Sequence, residues 1–254
     1  MRAHTCHSIP DHHLAAVQRT HRGRSQVDGM KITAALGLAF ALTAVFALVA
    51  VPAQAWTIGM AAGLAWFTCA AFILFFFRDA NPHPPGEAGV ILSPAHGTID
   101  YIDIATETIF LNGPARRISI YLSLLNVHVQ YAPASANVGV LQHFPGRWSR
   151  AKRREASLRN EHLLVGFTSG DGHKFALRLI SGIWVRRIVP WIARDQRVVG
   201  GERIGLIRFG SRVDVFLPLS AQVSVQPGDK VRGGETILAR FAGAQDFYNS
   251  FTAE

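Results

Sequence analysis

The sequence has little cysteine and, over one long stretch, no ionisable residue at all. Only two cysteines occur among the 254 residues, Cys6 in a polar tail and Cys69 in an apolar run. Such a pair is poorly placed for a structural disulfide and fits a reducing compartment. Residues 32–77 contain no Asp, Glu, Lys, Arg or His. This excludes an ordinary solvated surface for that part of the chain.

The uncharged stretch consists of two segments, Ile32–Val51 and Ala55–Phe77, which are separated by Pro52-Ala53-Gln54. Each segment is long enough to cross roughly 30 Å of hydrocarbon as a helix. A signal-peptide cleavage site at Ala53-Gln54-Ala55 is the alternative, but the apolar region is too long for one. Basic residues flank the pair of segments on the outside: Arg2, Arg19, Arg22, Arg24, Lys31 and Arg78. The sequence therefore predicts a transmembrane helical hairpin over 32–77 with both ends on the cytoplasmic side of the cell membrane.

Two further regions flank this hairpin. Residues 1–31 are polar and basic, and we expect them to form a disordered tail. From Val90 to Phe241, short runs of β-branched and apolar residues alternate with Gly, Asn and Asp turns. This pattern predicts a mainly β domain over 78–254. Gly-Gly-Glu occurs at 200–202 and again at 233–235, a faint repeat that favours a compact β-sandwich resembling a barrel-sandwich hybrid.

The chain has 26 Lys and Arg against 17 Asp and Glu, a net charge of +9. An excess of this size favours an anionic partner, such as an anionic membrane surface or a nucleic acid. The motifs of a nucleic-acid-binding module are absent from the sequence, so no nucleic-acid partner is predicted. One helical candidate within 146–162 has a basic cluster that would suit lipid head groups or a plain solvated face: Arg147, Arg150, Lys152, Arg153 and Arg154.

Several separate motifs occur in a characteristic order. They are FFFRD, SPAHGTID (93–100), ISIYLSLLNVHVQYAP (118–133), RNEH (159–162), WVRRIV (184–189) and GLIRFGSRVDVFLP (205–218). Together they resemble the phosphatidylserine decarboxylase family, in its short bacterial membrane-anchored branch. The resemblance extends from about Phe75 to Phe241.

The resemblance implies a role for the step from Gly210 to Ser211, which by itself would be an ordinary turn before a strand. Ser211 would attack the carbonyl of Gly210 and split the chain into a β chain, 1–210, and an α chain, 211–254. The serine would become a covalent pyruvoyl group, the only cofactor implied, with no metal. That group would form a Schiff base with phosphatidylserine and support its decarboxylation to phosphatidylethanolamine. Glycine leaves the attacked carbonyl unshielded, and the weakly nucleophilic serine needs a base.

The resemblance also implies candidate bases and shows a departure from the family pattern. His128 matches the family's histidine and is the leading proton donor or acceptor. His96 stands where the family has an aspartate, and Asn126 replaces another acidic residue. His96 itself could be the base, Asp100 could substitute, or self-cleavage could be slow or absent.

Two functions are therefore compared. The first is a self-cleaving, pyruvoyl-dependent phosphatidylserine decarboxylase whose two chains stay together as a heterodimer or a higher oligomer. The second is a cleavage-deficient relative, attached to the membrane, that binds phospholipid without catalysis, and the presence of His96 favours it. We expect the first, because Gly210, Ser211 and His128 all remain in place.

Overall fold

The computed structural model describes residues 31, 33–43, 56–78, 80–146, 160–182, 188–207 and 211–241; Trp56, Thr57 and Ser211 are described by their backbone alone. The tail 1–30, the basic cluster at 147–154 and Gly210 lie outside the described residues. The chain divides into two compact units. One contains the apolar helices, and the other contains the β domain.

The helical unit contains α1 (Thr33–Thr43) and α2 (Trp56–Phe76). The two helices contact each other where the Trp66 indole Nε1 donates to the carbonyl oxygen of Leu36 at 2.9 Å and stacks on Phe40. Helix α2 is apolar around its whole circumference, and its mean hydropathy is 2.0 over Ile58–Phe76. Among the described residues it is the one helix long and apolar enough to cross a membrane. Of the first predicted span, the described part is helical over 33–43.

The second unit is built from strands, which confirms the predicted mainly β class. Their bounds are β1 (Val90–Leu92), β2 (Gly97–Glu107), β3 (Gly113–Leu122), β4 (Val129–Tyr131), β5 (Ala136–Phe144), β6 (His162–Ser169), β7 (Lys174–Ile180), β8 (Ile188–Pro190), β9 (Arg197–Val198), β10 (Arg203–Ile207), β11 (Ser211–Leu217), β12 (Gln222–Val223), β13 (Lys230–Val231) and β14 (Ile237–Arg240).

These strands form one curled eight-stranded sheet and two three-stranded sheets. The large sheet has the order β13-β2-β3-β11-β7-β6-β5-β9, and the small ones are β1-β14-β12 and β4-β10-β8. Alternation along β11 shows why it occupies the middle of the large sheet. Val213, Val215 and Leu217 face the main apolar core and are fully buried, whereas Phe216 packs in a second cluster. Because both faces of β11 are buried, water cannot satisfy its backbone N–H and C=O groups. Strands β3 and β7 on its two edges supply these hydrogen bonds.

The faint sequence repeat corresponds to a pair of turns that lie against each other. Gly201 and Gly234 both have positive φ angles, 77° and 75°, which glycine adopts without strain. A Cβ at Gly234 would lie 3.5 Å from Cα of Gly201, and it would collide with Pro82 at 2.7 Å. A Cβ at Gly201 would likewise overlap Pro84. The two turns thus hold the proline-rich segment that leads into the β domain.

Candidate active site

At one end of the large sheet, the predicted cleavage site and the SPAHG turn lie on the two strands that flank β3. Ser211, the first residue of β11, pairs with Leu122 at the end of β3. On the other side of β3, Thr98 of β2 pairs with Tyr121. Because adjacent strands lie about 5 Å apart, the backbones of Gly97 and Ser211 are separated by roughly 10 Å, with β3 between them. His96, directly before Gly97, therefore lies at the same sheet end as Ser211.

Gly97 also explains how closely the SPAHG turn approaches β3. A Cβ at this position would overlap the carbonyl oxygen of Tyr121 and lie 2.8 Å from Cγ2 of Ile120. Strand β2 can pack this tightly against β3 only because residue 97 has no side chain.

His128 is connected to the cleavage segment through a backbone hydrogen bond. The backbone N–H of Ile207, the last residue of β10, donates to the carbonyl oxygen of His128 at 3.2 Å. Residues 208–210, which lie outside the described residues, therefore connect Ile207 to Ser211. Ile207 is bonded to His128, and Ser211 is paired with Leu122. Four chain steps separate Ile207 from Ser211, which limits their separation to about 14 Å. The structure thus places His128 and Ser211 at one end of the domain.

The local hydrogen bonds assign the tautomer of His128. Its side chain is 1% exposed, and Nδ1 lies 2.8 Å from the carbonyl oxygen of Asn126. A carbonyl oxygen only accepts hydrogen bonds, so Nδ1 carries the proton in the neutral ring and Nε2 carries the lone pair. Nε2 is therefore the atom that can take up or return a proton.

The same contact clarifies the departure at residue 126. The side-chain Oδ1 of Asn126 accepts from the backbone N–H and the hydroxyl of Ser123, at 2.9 and 2.7 Å. The backbone carbonyl of Asn126, and not its side chain, orients His128. An asparagine can therefore hold this turn and this histidine without a carboxylate.

His96 contacts Tyr131 and is partly buried. The two rings meet edge to face, with centroids 5.7 Å apart. The Tyr131 hydroxyl donates to the carbonyl oxygen of Ala80 at 3.3 Å, and the Tyr131 backbone N–H donates to Pro94 of the SPAHG turn at 2.8 Å. Tyr131 thus packs on the His96 ring at the same sheet end as His128.

A buried ionic network, which the sequence did not predict, directly follows Ser211. The guanidinium of Arg212 is fully buried and donates to Asp100 and to the hydroxyl of Ser119, each at 2.6 Å. The Ser119 hydroxyl in turn donates to Asp214, also fully buried, at 2.5 Å. The network connects β11 to β2 and β3 immediately beside the predicted cleavage site.

Neighbouring charges extend this network across the sheet. Arg117 donates to both carboxylate oxygens of Asp103, at 2.8 and 2.6 Å, and its pKa is raised chiefly by that contact. Burial, with Asp214 nearby, raises the pKa of the Tyr101 hydroxyl. From the sequence, Asp100 was one possible substitute base; in the structure its Oδ2 accepts a hydrogen bond from Arg212. The sequence did contain a signal for this network: the segments DYID (100–103), RISI (117–120) and RVDV (212–215) carry charges of opposite sign that could pair across adjacent strands.

Comparison with known proteins first identifies a class, the decarboxylases made as proenzymes. "Phosphatidylserine decarboxylase proenzyme" is the name of a Desulfotalea psychrophila protein 40% identical over 170 residues, covering 67% of this chain and 79% of the relative. A Symbiobacterium thermophilum protein of the same name is 36% identical over 194 residues, covering 76% and 90%. A Mycobacterium leprae protein, also of that name, is 42% identical over 167 residues, covering 65% and 69%.

The family model described as phosphatidylserine decarboxylase matches residues 69–239. This span contains the SPAHG turn, His128, Ser211 and most of the β domain. The chain therefore belongs to the phosphatidylserine decarboxylase family.

Proposed function

We propose that this protein decarboxylates phosphatidylserine to phosphatidylethanolamine after cutting itself between Gly210 and Ser211. Family membership and the proenzyme names of its relatives support the proposal. The structural observation that carries it is the position of Ser211 at the head of β11, at the same sheet end as His128 and His96. We further propose that residue 211 becomes a pyruvoyl group, that the β domain faces the cytoplasm, and that His128 transfers protons.

Self-cleavage would begin with the Ser211 hydroxyl attacking the carbonyl carbon of Gly210. The C–N bond between the two residues breaks, an ester forms, and the amine of Ser211 is released. Loss of the Cα proton then expels the Gly210 carboxylate, which leaves a dehydroalanine at the new amino terminus. Water converts it to a pyruvoyl group and releases ammonia. Nε2 of His128 would accept or return protons in these steps.

The described residues fit such a terminal group. After cleavage, residue 211 would remain paired to β3, and Arg212 would keep the start of β11 fixed through Asp100 and Ser119. The pyruvoyl carbonyl would supply an electron sink for the substrate amine as carbon dioxide leaves. His128 would then donate the proton that replaces the carboxylate.

The membrane assignment follows from the helical unit. We propose that α2, together with the first apolar segment, anchors the chain in the cell membrane with the β domain on the cytoplasmic face. The length and composition of α2 support the anchor, and the basic residues outside the two segments support the side. An anchored enzyme would meet its lipid substrate in the same membrane.

Intact-mass measurement of the purified full chain tests the cleavage. We expect a fragment that ends at Gly210 and a 44-residue fragment, 211–254, lighter than its serine form by the mass of ammonia. Release of labelled carbon dioxide from carboxyl-labelled phosphatidylserine tests the reaction. Ser211→Ala is the control and should give one uncut, inactive chain. An uncut wild-type chain that binds phosphatidylserine vesicles without releasing carbon dioxide would instead support the non-catalytic relative.

A further inference from the structure

The turn that leads from β3 to His128 presents two leucines to solvent. The side chains of Leu124 and Leu125 are 39% and 65% exposed, whereas the next apolar residue, Val127, is 7% exposed. The turn begins directly after Leu122, the backbone partner of Ser211, and ends two residues before His128. An exposed apolar tip therefore lies at the same end of the domain as the candidate active site.

The composition and hydrogen bonding of this turn suit a medium of low polarity. Residues 118–131 contain no Asp, Glu, Lys or Arg, so placing the tip in a membrane would not bury a charge. Ser123 and Asn126 satisfy one another: Oδ1 of Asn126 accepts two hydrogen bonds from Ser123, and the Asn126 N–H donates to the Ser123 carbonyl at 3.0 Å. Polar groups paired within the turn lose little when water is removed.

We propose that the Ser123–Asn126 turn inserts Leu124 and Leu125 into the surface of the phospholipid bilayer and so positions the active site over the lipid head groups. This inference rests on the proposed function. The reacting amine and carboxylate belong to a head group whose acyl chains stay in the membrane. A site next to an inserted tip can reach that head group without drawing the whole lipid into water.

A kinetic comparison tests the proposal with two physical forms of substrate. The full chain carrying Leu124→Ser and Leu125→Ser is assayed on long-chain phosphatidylserine in proteoliposomes and on dissolved short-chain phosphatidylserine. Because leucine burial contributes much of the affinity of such a tip, we expect kcat/KM to fall about tenfold on vesicles. On the dissolved substrate, which needs no bilayer contact, we expect a change of less than about twofold.

Ile104 provides a matched control for this comparison. Its side chain is 64% exposed, nearly the same as that of Leu125. It lies on β2 seven residues from Gly97, roughly 23 Å along the strand from the active-site end. Ile104→Ser should leave both activities unchanged. An equal loss on both substrates in the leucine variant, or no loss on either, would overturn the proposal.

A second measurement does not depend on activity. An environment-sensitive dye is attached to Leu125→Cys or to Ile104→Cys, in a full chain that also carries Cys6→Ser and Cys69→Ser. In vesicles containing lipids with a spin label near the head group, we expect quenching of the dye at 125 and little at 104. A dye at 125 that lipid does not quench would overturn the proposal; if it were also protected from iodide, a second copy of the chain would cover the turn instead.

The two measurements separate failure of this inference from failure of the proposed function. A wild-type chain that decarboxylates neither substrate contradicts the proposed function, and the dye still reports whether the turn enters the bilayer. A chain that is active on both substrates, with the dye at 125 in water, keeps the function and removes the inference.

Discussion

At the scale of single residues, the two histidines of the candidate site differ in how firmly the structure assigns them a role. The tautomer of His128 follows from a carbonyl partner, so Nε2 carries the lone pair and is the atom that we propose exchanges protons. His96 is held by the Tyr131 ring, on the β2 side of the sheet end. A neutral imidazole at 96 can accept a proton as a carboxylate does, although it cannot supply a fixed negative charge to a neighbouring histidine.

We predict that His96→Ala slows self-cleavage by about 10²-fold or more, because positioned proton transfer contributes on that order. His96→Asp should preserve or accelerate cleavage. The fraction of chain cut is followed by denaturing electrophoresis after synthesis in a cell-free system. Tyr131→Phe is the control, since it keeps the ring that packs on His96. Normal cutting in His96→Ala would show that another group, such as His128, is sufficient.

Residue 126 shows why the sequence alone could not decide the site. In the sequence, Asn126 stands two residues before His128, where the family pattern has a carboxylate. In the structure its side chain closes the turn and its main chain orients His128. A backbone carbonyl is present whatever the residue type, so its contribution cannot be found by comparing side chains. Motif order, in contrast, was sufficient to nominate Ser211 and His128 as candidate site residues.

At the scale of elements, β11 is the strand on which the candidate site depends. Its apolar positions were readable from the alternation of RVDVF, which correctly indicated a strand. The same alternation usually puts charges on a solvated face, but Arg212 and Asp214 are both fully buried. Only the register of β11 against β3 and of β3 against β2 brings Ser119 and Asp100 to these charges. Such cross-strand pairing is non-local, and one sequence does not specify it.

We predict that Arg212→Met lowers the free energy of unfolding by about 2–3 kcal/mol. Removing one partner leaves buried acceptors without their donor, and the partial exposure of Asp100 reduces the cost below that of a fully buried pair. The change is measured by thermal unfolding of the full chain, in a Ser211→Ala background so that every molecule is uncut. Arg240→Met, which removes an exposed pair with Glu87, should cost less than about 1 kcal/mol. Equal losses in the two variants would contradict the assigned role.

At the scale of the whole molecule, His162 makes stability depend on pH. Burial lowers its pKa in the folded protein and outweighs the opposing hydrogen bond to the carbonyl oxygen of Asn160; the nearby guanidinium of Arg178 also lowers it. The unfolded chain takes up this proton near pH 6.5, before the folded chain does. Below about pH 6.5 the unfolded state therefore binds more protons, and the free energy of unfolding falls as the pH falls.

We predict that His162→Gln reduces the loss of melting temperature between about pH 7 and pH 5. Glutamine can keep a donor for the carbonyl oxygen of Asn160, which lies 2.9 Å from Nδ1 of His162. His83→Gln is the control, since the His83 side chain is 86% exposed. A variant at 162 with the same pH dependence as the wild type would show that other groups produce it.

The sheet topology determines what cleavage would do to the assembled protein. The segment 211–241 supplies β11, which lies between β3 and β7, and β13 and β14, which pair with β2 and β1. Three of its four strands thus pair with strands that precede residue 210. The apolar residues Val213, Val215 and Leu217 of β11 also belong to the main core. A cut before Ser211 would break one peptide bond and leave these contacts intact.

We therefore predict that the two chains stay associated after cleavage. In gel filtration of the detergent-solubilised protein, the fragments 1–210 and 211–254 should elute together, in the same volume as the uncut Ser211→Ala chain. They should separate only in denaturant, because release of the small chain would expose one edge of β3, one edge of β7 and much of the core. Elution of the small chain alone under native conditions would contradict this prediction. Co-elution would mean that the strand pairing of 211–241 with the rest of the domain outlasts the cut.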